Sequence, residues 1–398
     1  MTNGSEEQLK EDFRRYVCQT SAEPLGIIVS RARGTKIWDA GGHEYLDLLA
    51  GMGVANIGHA HPAVLQAIAT QLASYLHVSV YGETVQQPQV ELARRLAEIT
   101  PGDLSVTYFT NSGTEAVEGA LKTARKHTGR SRLIAFHGGF HGDTFGALSV
   151  GGNPLYQEPF RPLLPDIELL PFGDDAALQR IDYAVAAVII EPVQGEGGVR
   201  IPSAEFLPAL RQRCTQVGAL FIADEVITGF GRTGALFACQ QWGVVPDILV
   251  MAKALGGGMP LGAFIGRPEV MRTLSHDPPL AHVTTFGGHP ISCAAGLAAL
   301  DVLIGEQLTA RAARLGAEWL AQLRAIAGPR CQVRGKGLLL ALEFDTPERT
   351  RRFVRRCFER GLILNWTLHR DTVVRLAPPL TISPDEVERA NAIMSAAL

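Results

Sequence analysis

Two rhythms of apolar residues divide the chain. From about residue 60 to residue 266, short and nearly continuous apolar runs alternate with stretches in which apolar residues fall at helical spacing. This pattern predicts helices over 62–75, 87–99, 115–127 and 203–217. It predicts strands over 106–110, 133–136, 167–170, 184–191, 219–224, 247–252 and 263–266. Strands with no polar alternation, set between helices, need a parallel sheet covered on both faces. The expected fold class is therefore α/β, with a mainly parallel, doubly wound sheet in a large domain spanning residues 51–290. On either side the rhythm changes. Residues 1–50 hold an amphipathic start followed by strands at 26–31, 35–39 and 44–49. Residues 291–398 predict long helices at 291–304 and 309–326, strands at 338–344 and 372–376, and a closing helix at 384–396. These make a smaller α+β domain against which the N-terminal segment is expected to pack. No internal repeat is visible.

Composition narrows the function classes. The 398 residues are 46% apolar and carry a formal net charge of −3. A nucleic-acid-binding surface usually needs a basic excess, so nucleic acid is not expected as a partner. The 42 glycines and 23 prolines are scattered, which fits a loop-rich globular chain. The first ten residues, MTNGSEEQLK, lack the basic-then-apolar layout of a signal peptide. No apolar run approaches the ~18 residues of a membrane-spanning helix. The six cysteines are dispersed and form no C-x-x-C pair, as expected of reduced thiols in a cytoplasmic protein. No histidine or cysteine cluster has metal-ligand spacing, so no metal is expected. His59 and His61, in a Gly-rich loop, are expected to be hydrogen-bonders.

In open α/β sheets ligands sit at the carboxyl ends of the strands, so unusual residues there carry the chemistry. Lysine is scarce: only six of the 37 Lys and Arg residues are lysines. One of them, Lys253, ends an apolar strand and precedes a Gly-rich loop. Desolvation lowers an amine's pKa from about 10.4 and frees it to attack a carbonyl. Pairing with a carboxylate for structure is the competing reading. Asp224 ends another strand. It suits the ring nitrogen of pyridoxal phosphate, or else a structural salt bridge. Ser112, Gly113 and Thr114 open a helix whose N-terminus favours a phosphate, although such a turn alone is a weak signal. One cofactor would need all three features on one rim.

Seven segments then stand in order: N-S-G-T-E-A (111–116), F-H-G-D-T (140–144), E-P-V-Q-G-E-G-G (191–198), A-D-E-V-I-T-G-F-G-R-T-G (223–234), A-K-A-L-G-G-G-M-P-L-G (252–262), T-T-F-G-G-H-P (284–290) and R-L-A-P-P-L (375–380). Together they closely resemble the class III aminotransferases. That group is pyridoxal-phosphate-dependent, has fold type I, and includes acetylornithine, ornithine, 4-aminobutyrate and putrescine aminotransferases. The resemblance implies that Lys253 forms the Schiff base with pyridoxal 5'-phosphate and shuttles the proton. It implies that Asp224 partners the ring nitrogen and that Ser112, Gly113 and Thr114 serve the phosphate. By the same resemblance Phe140 stacks on the ring with His141 beside it, and Val226 packs on the opposite face. Thr285 would be given to the phosphate of the other subunit, making a homodimer with shared sites the working unit. Arg375 would clamp a substrate carboxylate, and Glu196 would cover that arginine when an ω-amine is bound. This pair points to an amine donor and a 2-oxo acid acceptor, 2-oxoglutarate, in a ping-pong cycle.

Three positions depart from the pattern. Asp143 stands where several relatives carry an arginine for the donor's distal carboxylate. An anion there should repel a carboxylate and attract a cation, unless it turns away to pair with a nearby arginine. The run H-G-D-T-F-G-A-L-S-V also resembles diaminopelargonate synthases, but those lack R-L-A-P-P-L. Ile227 replaces a frequent glutamine. His289 replaces the usual asparagine of G-G-N-P. Two rival functions follow from the same residues: isomerisation with the same cofactor, as in racemases, epimerases or an aminomutase, and a non-enzymatic relative that keeps the fold. Arg375 with Glu196 weighs against the first, and Lys253 with Asp224 against the second.

Overall fold

The computed structural model describes residues 3–22, 24–79 and 84–398. The first strands are β1 (Val29–Arg33), β2 (Lys36–Asp39) and β3 (Glu44–Asp47). The middle of the chain supplies β4 (Val106–Thr110), β5 (Arg132–Phe136), β6 (Ile167–Leu170), β7 (Val185–Ile190), β8 (Leu220–Asp224), β9 (Ile248–Met251) and β10 (Gly262–Gly266). These form one seven-stranded sheet in the order β4-β10-β9-β8-β7-β5-β6. Strands β9, β8, β7, β5 and β6 are parallel neighbours. Strand β10 runs antiparallel to both β4 and β9. All residues of β7, β8, β9 and β10 are buried. Apolar side chains on both faces therefore have helices to pack against.

The helix Gly113–Thr128 shows how this covering is specified. Ser112 caps it by accepting the Glu115 N–H at 3.3 Å. Gly129, at φ +66°, ends it in the left-handed conformation. Ala116, Ala120, Leu121 and Ala124 form its buried face. Gly119 lies against the Phe264 ring of β10, where any Cβ would collide.

The remaining strands are β11 (Gln332–Lys336), β12 (Leu339–Glu343), β13 (Leu362–Ile363), β14 (Asn365–Thr367) and β15 (Arg370–Leu376). Strand β13 adds parallel to β3 and completes a sheet with β1 and β2. The other four form an antiparallel sheet ordered β11-β12-β15-β14. Helices Leu308–Ala327, Pro347–Phe358 and Pro384–Ala397 pack around it. Trp319 is fully buried between them, and its indole N–H reaches Asn391 Oδ1 at 2.8 Å. Among the described residues no single helix is long and apolar enough to cross a membrane.

The α/β class with a mainly parallel central sheet agrees with the expectation from the sequence. The predicted strand at 263–266 is present but antiparallel. The helix Pro347–Phe358 and strands β11, β13 and β14 are additions.

Close packing of Leu308–Ala327 on the turn after β11 gives a test. A Cβ on Gly316 would run into the backbone of Gly337, which has no flexible end to move aside. Gly316→Ala should therefore destabilise the fold by about 1–3 kcal/mol through overpacking. Helix propensity alone would give a gain of roughly 0.5–1 kcal/mol, so the sign of the shift in a denaturant midpoint decides which effect wins.

Candidate active site

The carboxyl ends of β4, β7, β8 and β9 face one cavity of about 670 Å³. Its wall includes Ser112, Gly113, Thr114, Phe140, His141, Asp143, Glu196, Asp224, Val226, Lys253 and Arg375. The sheet thus gathers eleven of the twelve sequence-predicted site residues around one space. The twelfth, Thr285, is exposed and does not line it.

Lys253 follows β9 and opens a short 3₁₀ turn, Lys253–Gly256. Its φ is +49°, a left-handed conformation that an L-residue adopts at a cost of about 1–2 kcal/mol. Burial pushes its amine pKa below the ordinary lysine value, and the positive charge of Arg375 acts in the same direction. Glu196, Asp224 and Glu191 oppose the shift without cancelling it.

Asp224 is buried at the end of β8. Its Oδ2 lies 2.7 Å from His141 Nδ1, and its Oδ1 accepts the Val226 N–H at 3.0 Å. Burial works against a charged His141, but the hydrogen bond and charge of Asp224, aided by Glu191, raise its pKa overall. Glu191, one residue past β7, is pushed up to about 7 by burial and the charge of Asp224. His141 and two N–H groups counter that rise: Gly195 to Oε2 and Phe140 to Oε1, both at 2.9 Å.

The helix Gly113–Thr128 points its N-terminus into the cavity. Thr114 Oγ1 lies 2.7 Å from Thr144 Oγ1 and accepts the Thr144 N–H at 3.2 Å, which fixes the segment after Asp143. A Cβ at Gly113 would stand 3.2 Å from both methyls of Val226 and 3.4 Å from Ala252. Only glycine leaves that cradle open. Asn111 Nδ2 donates to Thr284 Oγ1 at 3.2 Å, tying the loop that carries Thr285 to the same helix end.

Arg375, on β15, is 1% exposed and forms an ion pair with Glu196. Burial pushes the Glu196 carboxyl up, but Arg375 and the Leu368 N–H outweigh it and hold the acid below its ordinary range. The Nε of Arg375 is buried without a protein partner, and Met52 Sδ of the same chain lies 3.9 Å from its Nη2. Asp143 is exposed on the rim, and among the described residues no cationic side chain pairs with it. Ile227 lines the cavity. His289 precedes the helix Pro290–Gly305 and stacks on His77 with ring centroids 5.8 Å apart. His59 bonds Asp47 at 2.8 Å, and His61 accepts the Ala63 N–H at 3.2 Å.

Two contributors were not assigned a role from the sequence. Glu191 was visible as a strand-end acid, but its two N–H partners come from loops that spacing does not join. Arg232, within G-F-G-R-T-G, is fully buried and donates to Leu338 O at 3.0 Å, Pro378 O at 2.5 Å and Asn56 Oδ1 at 2.6 Å. Its glycine-flanked position was the only signal. Burial and the nearby Arg375 push its pKa down to about 9.

The donor set fits a planar aldehyde bearing a phosphate. It offers an amine of lowered basicity, a buried carboxylate, a helix N-terminus and an open glycine cradle. A parallel sheet ending in this set defines a pyridoxal-phosphate enzyme. The sequence pattern described as Aminotransferase class-III matches residues 17–398. An acetylornithine aminotransferase of Methanopyrus kandleri is 46% identical over 368 residues, covering 92% of each chain. A putrescine aminotransferase of Pectobacterium atrosepticum is 43% identical over 395 residues, covering 95% of this chain and 83% of its own. The crystal structure of the ornithine aminotransferase from Toxoplasma gondii superposes with a TM-score of 0.92 at 34% identity, covering 98% of this chain and 94% of that one. The chain belongs to the class III aminotransferases, which are enzymes dependent on pyridoxal phosphate.

The neutral form of Glu191 can be observed. Its pKa in the fold, about 7, lies above the ordinary carboxyl value of 4.5. Ionising it therefore costs stability as pH rises between those values. Infrared difference spectra of the apoprotein between about pH 6 and about pH 8 should show a protonated carboxyl stretch disappearing as pH rises. Glu191→Gln should lack that signal.

Proposed function

We propose that this aminotransferase moves an amino group from a primary ω-amine or diamino-acid donor to 2-oxoglutarate in a two-stage ping-pong cycle. The observation that carries this reading is the buried Arg375–Glu196 pair at the cavity wall. A guanidinium presents a planar fork that matches a carboxylate. With Glu196 across it, its charge is neutralised and an uncharged carbon chain can lie beside it. With Glu196 withdrawn, it can receive the α-carboxylate of a dicarboxylate. An isomerase that needs no acceptor has no use for such a pair. The relatives act on acetylornithine and putrescine, as their names state. Asp143, with no cationic partner among the described residues, favours the cationic end of a diamine over an acidic group. Thr285, exposed and away from this chain's cavity, supports donation to a neighbouring subunit in a homodimer. The six free cysteines support a reducing, cytoplasmic setting.

Pyridoxal phosphate supplies the aldehyde that receives the amino group and the ring that holds the electrons released at the substrate carbon. Lys253 would hold that aldehyde before substrate arrives. Its amine, made less basic by burial, would take the proton from the substrate carbon and deliver it to the carbon that had carried the aldehyde. Asp224, oriented by His141 and the Val226 N–H, would keep the ring nitrogen protonated. Ser112, Gly113 and Thr114 would hold the phosphate at the helix end, with Phe140 and Val226 on the two faces of the ring.

The deciding experiment adds single amines and amino acids to the cofactor-loaded enzyme and follows the cofactor's absorption. Conversion to the amine form of the cofactor by glutamate and by an ω-amine is expected. A donor that converts while glutamate does not would overturn the choice of acceptor. Lys253→Ala should lower turnover by about 10³-fold or more, since it removes both the amine that would hold the aldehyde and the proton carrier. Asp143→Arg should shift kcat/KM by about two- to fivefold from diamines toward carboxylate-bearing donors, the scale of an exposed charge contact. A flat donor profile would assign Asp143 to structure alone.

A further inference from the structure

The Arg375–Glu196 pair has a third member. Strands β14 and β15 join through a two-residue turn, Leu368–His369, closed by the pairing of Thr367 with Arg370. Turn residues spend no N–H on the ladder, and both of these N–H groups go to Glu196. Leu368 N–H donates to the Glu196 carboxylate at 2.8 Å, on the oxygen that Arg375 leaves free. His369 N–H donates to the Glu196 backbone carbonyl at 3.1 Å. The turn is itself clamped. Tyr156 Oη donates to Leu368 O at 2.8 Å. The His369 ring stacks on Tyr156, centroids 5.2 Å apart, and meets Phe140 edge-on at 5.7 Å.

We propose that Leu368, through its backbone N–H, is a positioning residue that parks Glu196 over Arg375 and so sets how the enzyme divides its affinity between amines and dicarboxylates. The inference rests on the reading of Arg375 given above. A carboxylate held by Arg375 alone has one oxygen unbonded. One held at both oxygens gives up a charge-assisted hydrogen bond before a dicarboxylate can enter. Because the turn also grips Phe140 through His369, the parked carboxylate and the cofactor-facing ring are positioned by one hairpin tip.

Leu368→Pro removes this N–H and sets the ring Cδ where the hydrogen pointed, so Glu196 both loses the bond and is pushed off its parked position. Neither turn residue has positive φ, proline suits the first position of such a turn, and Thr367 before it is already extended. The Leu368 side chain is 42% exposed, so little packing is lost. The probe is glutarate, an unreactive dicarboxylate, titrated into the holoenzyme and read from the cofactor's absorption, beside the KM for 1,4-diaminobutane. Leu368→Pro should bind glutarate about tenfold more tightly and raise the diamine KM by a similar factor, the scale of one hydrogen bond to a charged group. Leu368→Ala, which keeps the N–H, should leave both near the parent values. Glutarate affinity that is unchanged or weaker in a Leu368→Pro protein of parental thermal midpoint overturns the proposal, as does a parallel loss of both ligands. If Leu368→Pro does not fold, Tyr156→Phe decides: it should shift both ligands in the same opposite senses, and no shift overturns the proposal. A parent enzyme that does not bind glutarate, or an Arg375→Gln variant that binds it equally well, removes instead the reading of Arg375 and the proposal with it.

Discussion

The hydrogen bond between the His141 ring and Asp224, both shut off from solvent, is the contact around which the site is assembled. A buried carboxylate needs a partner that supplies charge or hydrogen, or the acid takes up a proton. His141 is that partner, and its own raised pKa follows from the pairing. Each neighbouring acid meets the same demand differently. Glu196 is answered by Arg375, and Glu191 by two backbone N–H groups together with a pKa of about 7. Lys253 stands among all three with a lowered pKa. The cavity therefore keeps one amine reactive without leaving any of these acids unpartnered.

Charges of both signs line the cavity: Arg375 is buried, Asp143 is exposed, and Lys253 belongs to the wall as well. Arg232 steadies the arrangement from behind. One guanidinium holds carbonyls at Leu338 and Pro378 and the amide of Asn56, so segments far apart in sequence meet next to Arg375.

Much of this was legible in the sequence, and the remainder has physical reasons. The helix Gln87–Ile99 and the strands Val106–Thr110 and Ile167–Leu170 match the apolar spacing residue for residue. A buried strand has the same apolar run whichever way it points, so the reversal of β10 was invisible. The helix Pro347–Phe358 carries its apolar residues, Phe353, Val354, Cys357 and Phe358, only in its C-terminal half among arginines, so the spacing has few repeats to define it. Strands β13 and β14 have two and three residues, below the length at which alternation is defined. Lys253 and Asp224 were legible because a charge at the end of an apolar run is conspicuous. Arg232 and Leu368 were not, because most of their bonds go to or from backbone groups, which every residue possesses.

The pairing of β3 with β13 bears on how the chain acquires its shape during synthesis. Leu46 and Leu362 are register partners about 300 residues apart. Every strand of the seven-stranded sheet lies between them and leaves the ribosome before β13 does. The central sheet can therefore close while β3 still waits with one edge open, for most of the time that translation takes. Unpaired strand edges invite association with other chains. Strand β3 is only four residues long and includes two acids, Glu44 and Asp47, features that make it a poor template for a stranger during that wait.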